Sequence, residues 1–134
     1  MPSKYIYRFL KSSWGIYVGL TAELRAQANF EGTSLNVIPG ISLSIEVPHL
    51  STEEQEFLAL AIKLAEDELE EKLKHQLPVV IRILELDIVL IDYAPQGLTY
   101  ALIGWMEQEL GIQIGLPWPT FHKESRRYLF YFQR

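Results

Sequence analysis

Residues 78–111, PVVIRILELDIVLIDYAPQGLTYALIGWMEQELG, decide the fold class of this chain. The first half, residues 79–91, is rich in β-branched side chains and predicts a long strand. The second half has apolar residues at helical spacing. Pro95 suits the first turn of this helix, and Gly111 suits the left-handed residue that follows one. A strand, a short turn and an amphipathic helix in succession indicate a mixed fold of α and β elements.

The strand of residues 79–91 has apolar residues at both parities, with Arg82, Glu85 and Asp87 among them. A strand that is apolar on both faces is either a central strand covered on both sides or one that bends partway. In the following helix, Gly104 costs about 1 kcal/mol relative to alanine. We therefore expect this helix to pack closely against the sheet.

The first third of the chain predicts further strands. Residues 5–10 are aromatic and β-branched, and residues 14–27 alternate between apolar and polar positions. Because the second run is long for a strand, a bulge or bend is expected near Gly19. A helix over residues 21–29 is the competing interpretation. The segment of residues 35–38, before Pro39 and Gly40, is interpreted as a short edge strand.

The remaining elements complete the pattern. Residues 41–47 alternate cleanly and predict a half-buried strand. Ser51 followed by Glu54 forms a capping-box pattern, which begins the longest helix; this helix ends before Pro78. Residues 128–132 are aromatic and predict the last strand.

The element order is strand-strand-strand-helix-strand-helix-strand, with the short edge strand in addition. It predicts a single α+β domain over residues 1–134, a mostly antiparallel sheet of four or five strands with two helices packed on one face. The predicted core consists of one large apolar set: Ile16, Val18, Leu43, Ile45, Phe57, Ile62, Leu69, Ile83, Ile88, Leu102, Trp105 and Phe130.

The order of elements from Trp14 to Glu109 resembles the fourth domain of elongation factor G, which belongs to the left-handed βαβ class. The resemblance lies in Trp14-Gly15-Ile16-Tyr17, Ile38-Pro39-Gly40, the first helix, Leu77-Pro78-Val79-Val80 and the helix from Gly97. It implies this fold and a place near the ribosome or RNA. The sequence contains no phosphate-binding glycine loop of the kind found in the GTPase that precedes this domain in the family. The resemblance assigns no functional residue.

Composition narrows the class of protein. The chain has 49% hydrophobic and 22% charged residues, no cysteine and a net charge of −5. Residues 31–110 carry fifteen acidic against four basic residues, whereas the segments before and after them each carry a net charge of +3. The acidic middle argues against broad nucleic-acid binding. With no secretory leader and no apolar run of about 20 residues, we expect a cytoplasmic protein without a membrane span.

The candidate binding residues are of two kinds. Glu66, Asp67 and Glu70 lie on the acidic face of the first helix, which is either only solvated or a docking surface for a basic protein partner. Trp118 and Phe121 lie in a proline-rich connector, where they either contact a partner or cover the core.

Three carboxylates are the candidate catalytic groups. Glu85, Asp87 and Asp92 follow one another along the long strand and into the turn after it. Glu85 and Asp87 are either a carboxylate pair for acid/base or metal chemistry, or solvated residues that pair with Arg82 or Arg25. The spacing of the histidines and carboxylates indicates no metal site, and no motif indicates a cofactor.

Three function hypotheses follow. The first is a non-catalytic macromolecule-binding module, with an acidic inhibitor or immunity protein for a basic partner as its specific form. The second is a stand-alone elongation-factor-like domain acting near the ribosome or RNA. The third is a small enzyme that uses a carboxylate cleft. An exposed last strand that pairs edge to edge would make a homodimer.

Overall fold

A computed structural model describes residues 2–11, 14–89, 94–117, 120–122, 127–130 and 132, with the backbone alone for 9–11, 14–15, 120–122 and 127–129. The strands are β1 (Ser3–Lys11), β2 (Trp14–Ala26), β3 (Leu35–Ile38), β4 (Ile41–Ile45), β5 (Val79–Ile88), β6 (Thr120–His122) and β7 (Arg127–Leu129). The α-helices are α1 (Thr52–Leu64), α2 (Glu66–Leu73) and α3 (Gly97–Leu110). The mixed α and β composition is confirmed, and the four strands before the first helix include the predicted short edge strand.

The main sheet has five strands in the order β1-β2-β5-β4-β3. Three of its pairs are antiparallel, and β4 pairs with β5 in parallel across the connection through α1 and α2. The sheet is therefore mixed but mostly antiparallel. The short strand β3 lies at one edge, as its sequence predicted, and β1 lies at the other.

A register shift in β5 explains why this strand is apolar at both parities. In the pairing with β2, Thr21 lies opposite Glu85 and Ala22 lies opposite Ile83, so Leu84 is an extra residue. Before the bulge the odd positions face the helices, and after it the even positions do. Ile81 and Ile83 before the bulge and Leu86 and Ile88 after it thereby reach the helix-covered face, whereas Val80, Arg82, Glu85 and Asp87 lie on the other. The bulge expected near Gly19 of β2 is instead on the partner strand, and no helix interrupts β2.

The predicted longest helix is divided into two. Ser51 accepts a hydrogen bond from the Glu54 backbone, and Glu54 accepts one from the Ser51 backbone, so the capping box is confirmed. The helical geometry breaks at Ala65, which has φ −98° and ψ 12° and separates α1 from α2. The apolar pattern continues across the break because Ala65 and Leu69 are both fully buried. Three helices therefore stand where two were expected.

The helices cover one face of the sheet and build a single core with it. Buried residues from β1, β2, β4 and β5 join buried residues from all three helices in one cluster. Gly111, at φ 68°, ends α3 in the left-handed conformation that the sequence predicted. Of the predicted core, most members are buried, and four are partly buried against it: Ile45, Phe57, Ile88 and Phe130.

The C-terminal strand does not join the main sheet. β7 pairs with β6 in a separate two-stranded sheet. Beyond the hairpin, Phe130 and Phe132 pack beside Tyr100, with ring centroids 5.9 and 5.6 Å away. The C-terminal segment therefore packs against the helices. A homodimer through the last strand would have to use the edge of β7 that does not pair with β6.

Candidate functional site

The outer face of the sheet, which none of the described helices covers, carries a network of four charged side chains. Arg82 donates from Nε and Nη2 to the Glu46 carboxylate at 2.6 and 2.8 Å, and from Nη1 to Glu23 Oε2 at 2.7 Å. Arg25 Nε donates to the same Glu23 oxygen at 3.2 Å. The ring of Phe30 lies 5.6 Å from Arg82 Cζ. The network ties β2 to β5 and to the residue that follows β4.

The network favours the charged forms of Glu23, Glu46 and Arg82. Burial alone would raise the pKa of Glu23, but hydrogen bonds and charges from Arg25 and Arg82 outweigh burial and lower it. The hydrogen bond from Arg82 is the main cause that lowers the pKa of Glu46. The same bond holds the pKa of Arg82 above its ordinary range. Four mutually neutralised charges make this cluster a structural tie rather than an acid or a base.

Acidification is expected to remove this tie. Because the folded-state pKa values of Glu23 and Glu46 lie below the ordinary 4.5, their contribution to stability is present above about pH 4.5 and is lost as the pH falls below 4.5 through those lowered values. The double variant Glu23→Gln/Glu46→Gln should show a flatter dependence of urea midpoint on pH between about pH 6 and 3. Glu31→Gln/Glu109→Gln, which removes two exposed carboxylates, is the control. Equal flattening in the control would place the acid sensitivity elsewhere.

The acidic helical surface is present as predicted in sequence, and the structure shows its extent. α1 and α2 together carry eight acidic residues against two lysines. Asp67 is exposed, whereas Glu66 and Glu70 are half-buried. Asp67, Glu68, Glu71 and Lys72 line an open cleft of about 510 Å³ with Ile112 and Gln113. One of the three predicted acidic residues thus borders a concave surface.

The two aromatic side chains predicted to contact a partner are not among the described side chains. Trp118 lies outside the described residues, and Phe121 is described only as backbone in β6. Both stay predictions.

The candidate catalytic carboxylates lie on the open sheet face. Glu85 and Asp87 are exposed, and Asp92 lies outside the described residues. Asp87 pairs with Lys4 at 3.8 Å across β2, above Gly19, where a Cβ would crowd both side chains. Neither Glu85 nor Asp87 lines a cavity described here. In the part of the chain that the structure describes, no group of three or more His, Cys, Asp or Glu residues could hold a metal ion.

A groove of about 620 Å³ runs between the edge strand β3 and helix α1. Its strand-side lining includes the apolar residues Leu35, Leu43 and Ile45, and the α1 wall includes Glu56, Ala59 and Lys63. The Leu35 side chain projects from the edge strand and is 66% exposed. The short strand was predicted from the sequence. The groove could not be predicted, because it depends on where α1 lies relative to β3.

A smaller cavity of about 330 Å³ lies at the other edge, between β1, α3 and the connector after α3. Tyr7 stacks on Tyr100 with ring centroids 5.2 Å apart, and Tyr100 Oη donates to the Pro117 carbonyl at 2.6 Å. Glu107 accepts from the backbone of Ile114 at 2.8 Å and so fixes the connector. Burial and the Glu107 charge raise the pKa of Tyr5. Tyr100 and Glu107 therefore stabilise the fold at this edge through their bonds to the connector.

The comparisons with known proteins identify a fold and no family. No protein-family model matches the sequence, and no curated protein matches it at a significant level. A crystal structure of a Thermus thermophilus protein is similar, with a TM-score of 0.51 and 11% sequence identity over 77% of this chain. This chain spans only 14% of that one. At such identity the likeness shows a related fold alone, and the description of that protein names no elongation-factor domain.

None of the described helices is long and apolar enough to cross a membrane.

The outer-face network was not predicted from the sequence. Arg82 and Arg25 were considered as partners for Glu85 and Asp87, whereas in the structure Arg82 pairs with Glu46 and Glu23. The available signal was the placement of Glu23 and Arg25 at the polar parity of β2. That signal becomes specific only when β5 is known to lie between β2 and β4.

Proposed function

We propose that the chain is a non-catalytic, cytoplasmic protein-binding module whose acidic helical surface, formed by α1 and α2, docks a basic protein partner. The observation that carries the proposal is the charge of these helices. They hold a net −6, more than the −5 of the whole chain, so the rest of the molecule is nearly neutral. A surface of one sign accelerates encounter with an oppositely charged partner and selects against acidic ones.

The form of the surface supports a protein partner over a free small ligand. Its acidic side chains extend along two successive helices, over about 30 Å at 1.5 Å per residue. The cleft beside α2 is open and has Ile112 and Gln113 on its other side. The specific form we favour is an inhibitor or immunity protein for a basic toxin or nuclease. Such an inhibitor needs a charged surface and no catalytic group.

Neutralising the surface is expected to weaken binding about tenfold at low salt, since exposed charge pairs contribute about 0.2–1 kcal/mol each. The test variant is Glu66→Gln/Asp67→Asn/Glu70→Gln. Partners retained by the immobilised chain at low salt would be purified, and their affinity measured by calorimetry at several salt concentrations. The affinity of the wild-type chain should fall as salt rises.

The matched control is Glu31→Gln/Glu85→Gln/Asp87→Asn, which removes the same charge from the loop before β3 and from the open sheet face. It should bind like the wild-type chain. If both triple variants lost the same affinity for the partner, only the net charge of the chain would matter. An affinity that does not change with salt concentration would reject the acidic surface as the binding site.

A second candidate is a stand-alone elongation-factor-like domain acting near the ribosome. Its basis is the order of elements from Trp14 to Glu109, which resembles the fourth domain of elongation factor G; the Thermus thermophilus structure adds a related fold alone. Co-sedimentation of the purified chain with ribosomes at low salt tests this candidate. Complete recovery in the supernatant would reject it.

A further inference from the structure

The groove between β3 and α1, which we call the edge groove, is an apolar surface that the chain leaves open. Leu35, 66% exposed, lies directly opposite Leu43 in the β3–β4 pair and stands at its rim. Most large apolar side chains of the described residues are buried or half-buried, whereas Leu35 is exposed beside an apolar groove of about 620 Å³.

The edge strand itself is poorly suited to accept an added strand. β3 has only four residues, and its register with β4 shifts between Asn36 and Ile38. Pro39, which has no backbone N–H, follows directly. Short, bulged edges that end at proline are the devices by which proteins prevent edge-to-edge pairing. An occupant of the groove must therefore be held by side chains rather than by a backbone ladder.

The charges of the groove favour a particular occupant. Glu56 lies one turn before Ala59 on the α1 wall, and Lys63 lies one turn after it, about 10 Å from Glu56 at 1.5 Å per residue. In the described part of the chain, neither side chain forms an ion pair. The wall is thus neutral overall, negative at one end and positive at the other. A basic partner therefore gains less at this wall than at α2, which carries five acidic residues against one lysine.

We propose that the edge groove binds a second copy of this chain in a two-fold symmetric dimer. A two-fold axis near Ala59 brings Glu56 of each copy opposite Lys63 of the other, so both charge pairs form at once. Leu35 of each copy then enters the groove of its mate, where the small Ala59 side chain leaves room. A surface that carries both the projecting side chain and the cavity for it is self-complementary, as a two-fold interface requires. The inference does not depend on the proposed binding of a basic partner.

The test is sedimentation equilibrium of the purified chain over a range of concentrations. The wild-type chain should reach twice its monomer mass of 15.5 kDa. Glu56→Lys alone and Lys63→Glu alone each turn two attractive pairs into repulsive ones and should raise the dimer Kd about tenfold or more. The double variant Glu56→Lys/Lys63→Glu restores opposite charges across the axis and should return the Kd to near the wild-type value.

Two further variants complete the design. Leu35→Glu should be monomeric at every concentration while its thermal midpoint as a monomer changes little, because the residue is exposed. Glu109→Lys, with the same charge change at an exposed position of α3, should dimerise like the wild-type chain. The proposal is overturned by a wild-type chain that stays monomeric up to about 1 mM. It is equally overturned by a dimer that Leu35→Glu leaves intact, or by a double charge reversal that does not restore association.

Discussion

Replacing Trp105 with alanine is expected to lower the free energy of unfolding by about 3–5 kcal/mol, the largest effect of any single substitution proposed for this protein. Trp105 is fully buried in α3, and its Nε1 donates to Ser3 Oγ at 2.9 Å and lies 3.2 Å from the Ser3 carbonyl oxygen. The side chain therefore both fills the core and ties α3 to the start of the edge strand β1. Since a domain of this size is stable by only about 5–15 kcal/mol, the variant should lie near its folding threshold.

Urea unfolding followed by circular dichroism measures this loss without relying on tryptophan fluorescence. Two milder variants separate packing from hydrogen bonding. Ser3→Ala removes only the hydroxyl acceptor and should cost about 1 kcal/mol or less. Trp105→Phe keeps most of the packed ring and should fall between the other two. If Ser3→Ala were as destabilising as Trp105→Ala, the hydrogen bond rather than the buried ring would be the main contribution.

The sequence predicted the element types well where one physical signal dominated. The capping box at Ser51, the left-handed Gly111 and the edge position of β3 each depend on local chemistry, and each is confirmed. The extra residue in β5 depends on pairing. Its apolar residues switch parity at Leu84, but only the register against β2 shows that both sets reach one face.

Two further features of the fold depend on non-local contacts and could not be predicted from local sequence. The residues on both sides of Ala65 favour a helix, so nothing local indicates that the helix divides there. The separation of β7 from the main sheet is also non-local, because an aromatic strand suits a small hairpin as well as a sheet edge.

The candidate surfaces also differ in whether they can be recognised from the sequence alone. Acidic character is a property of composition, so the charge of α1 and α2 was visible before the structure. The edge groove and the Arg82 network both require knowledge of which elements are neighbours. Leu35 and Arg82 become informative only when α1 is placed beside β3 and β5 beside β4. A single sequence gives no measure of that adjacency.

Gly104→Ala is expected to destabilise the protein by about 1–3 kcal/mol, although alanine is the better helix former by about 1 kcal/mol. The sequence predicted close packing at Gly104, and the structure identifies the neighbour as Tyr5 of β1. A Cβ at this position would overlap the Tyr5 ring and lie 2.7 Å from its hydroxyl oxygen. The half-buried ring lies against the helix backbone, so relief requires Tyr5 to leave its contacts.

A double-mutant cycle makes this expectation sharp, because the sign of the effect should reverse. In a Tyr5→Ala background the obstacle is absent and only helix propensity remains, so Gly104→Ala should stabilise the protein by up to about 1 kcal/mol. Urea midpoints of the four proteins give the coupling free energy, which should be about 1–4 kcal/mol. If Gly104→Ala has the same effect with and without the Tyr5 ring, the glycine is not required by Tyr5, and the close approach of α3 to β1 must have another cause.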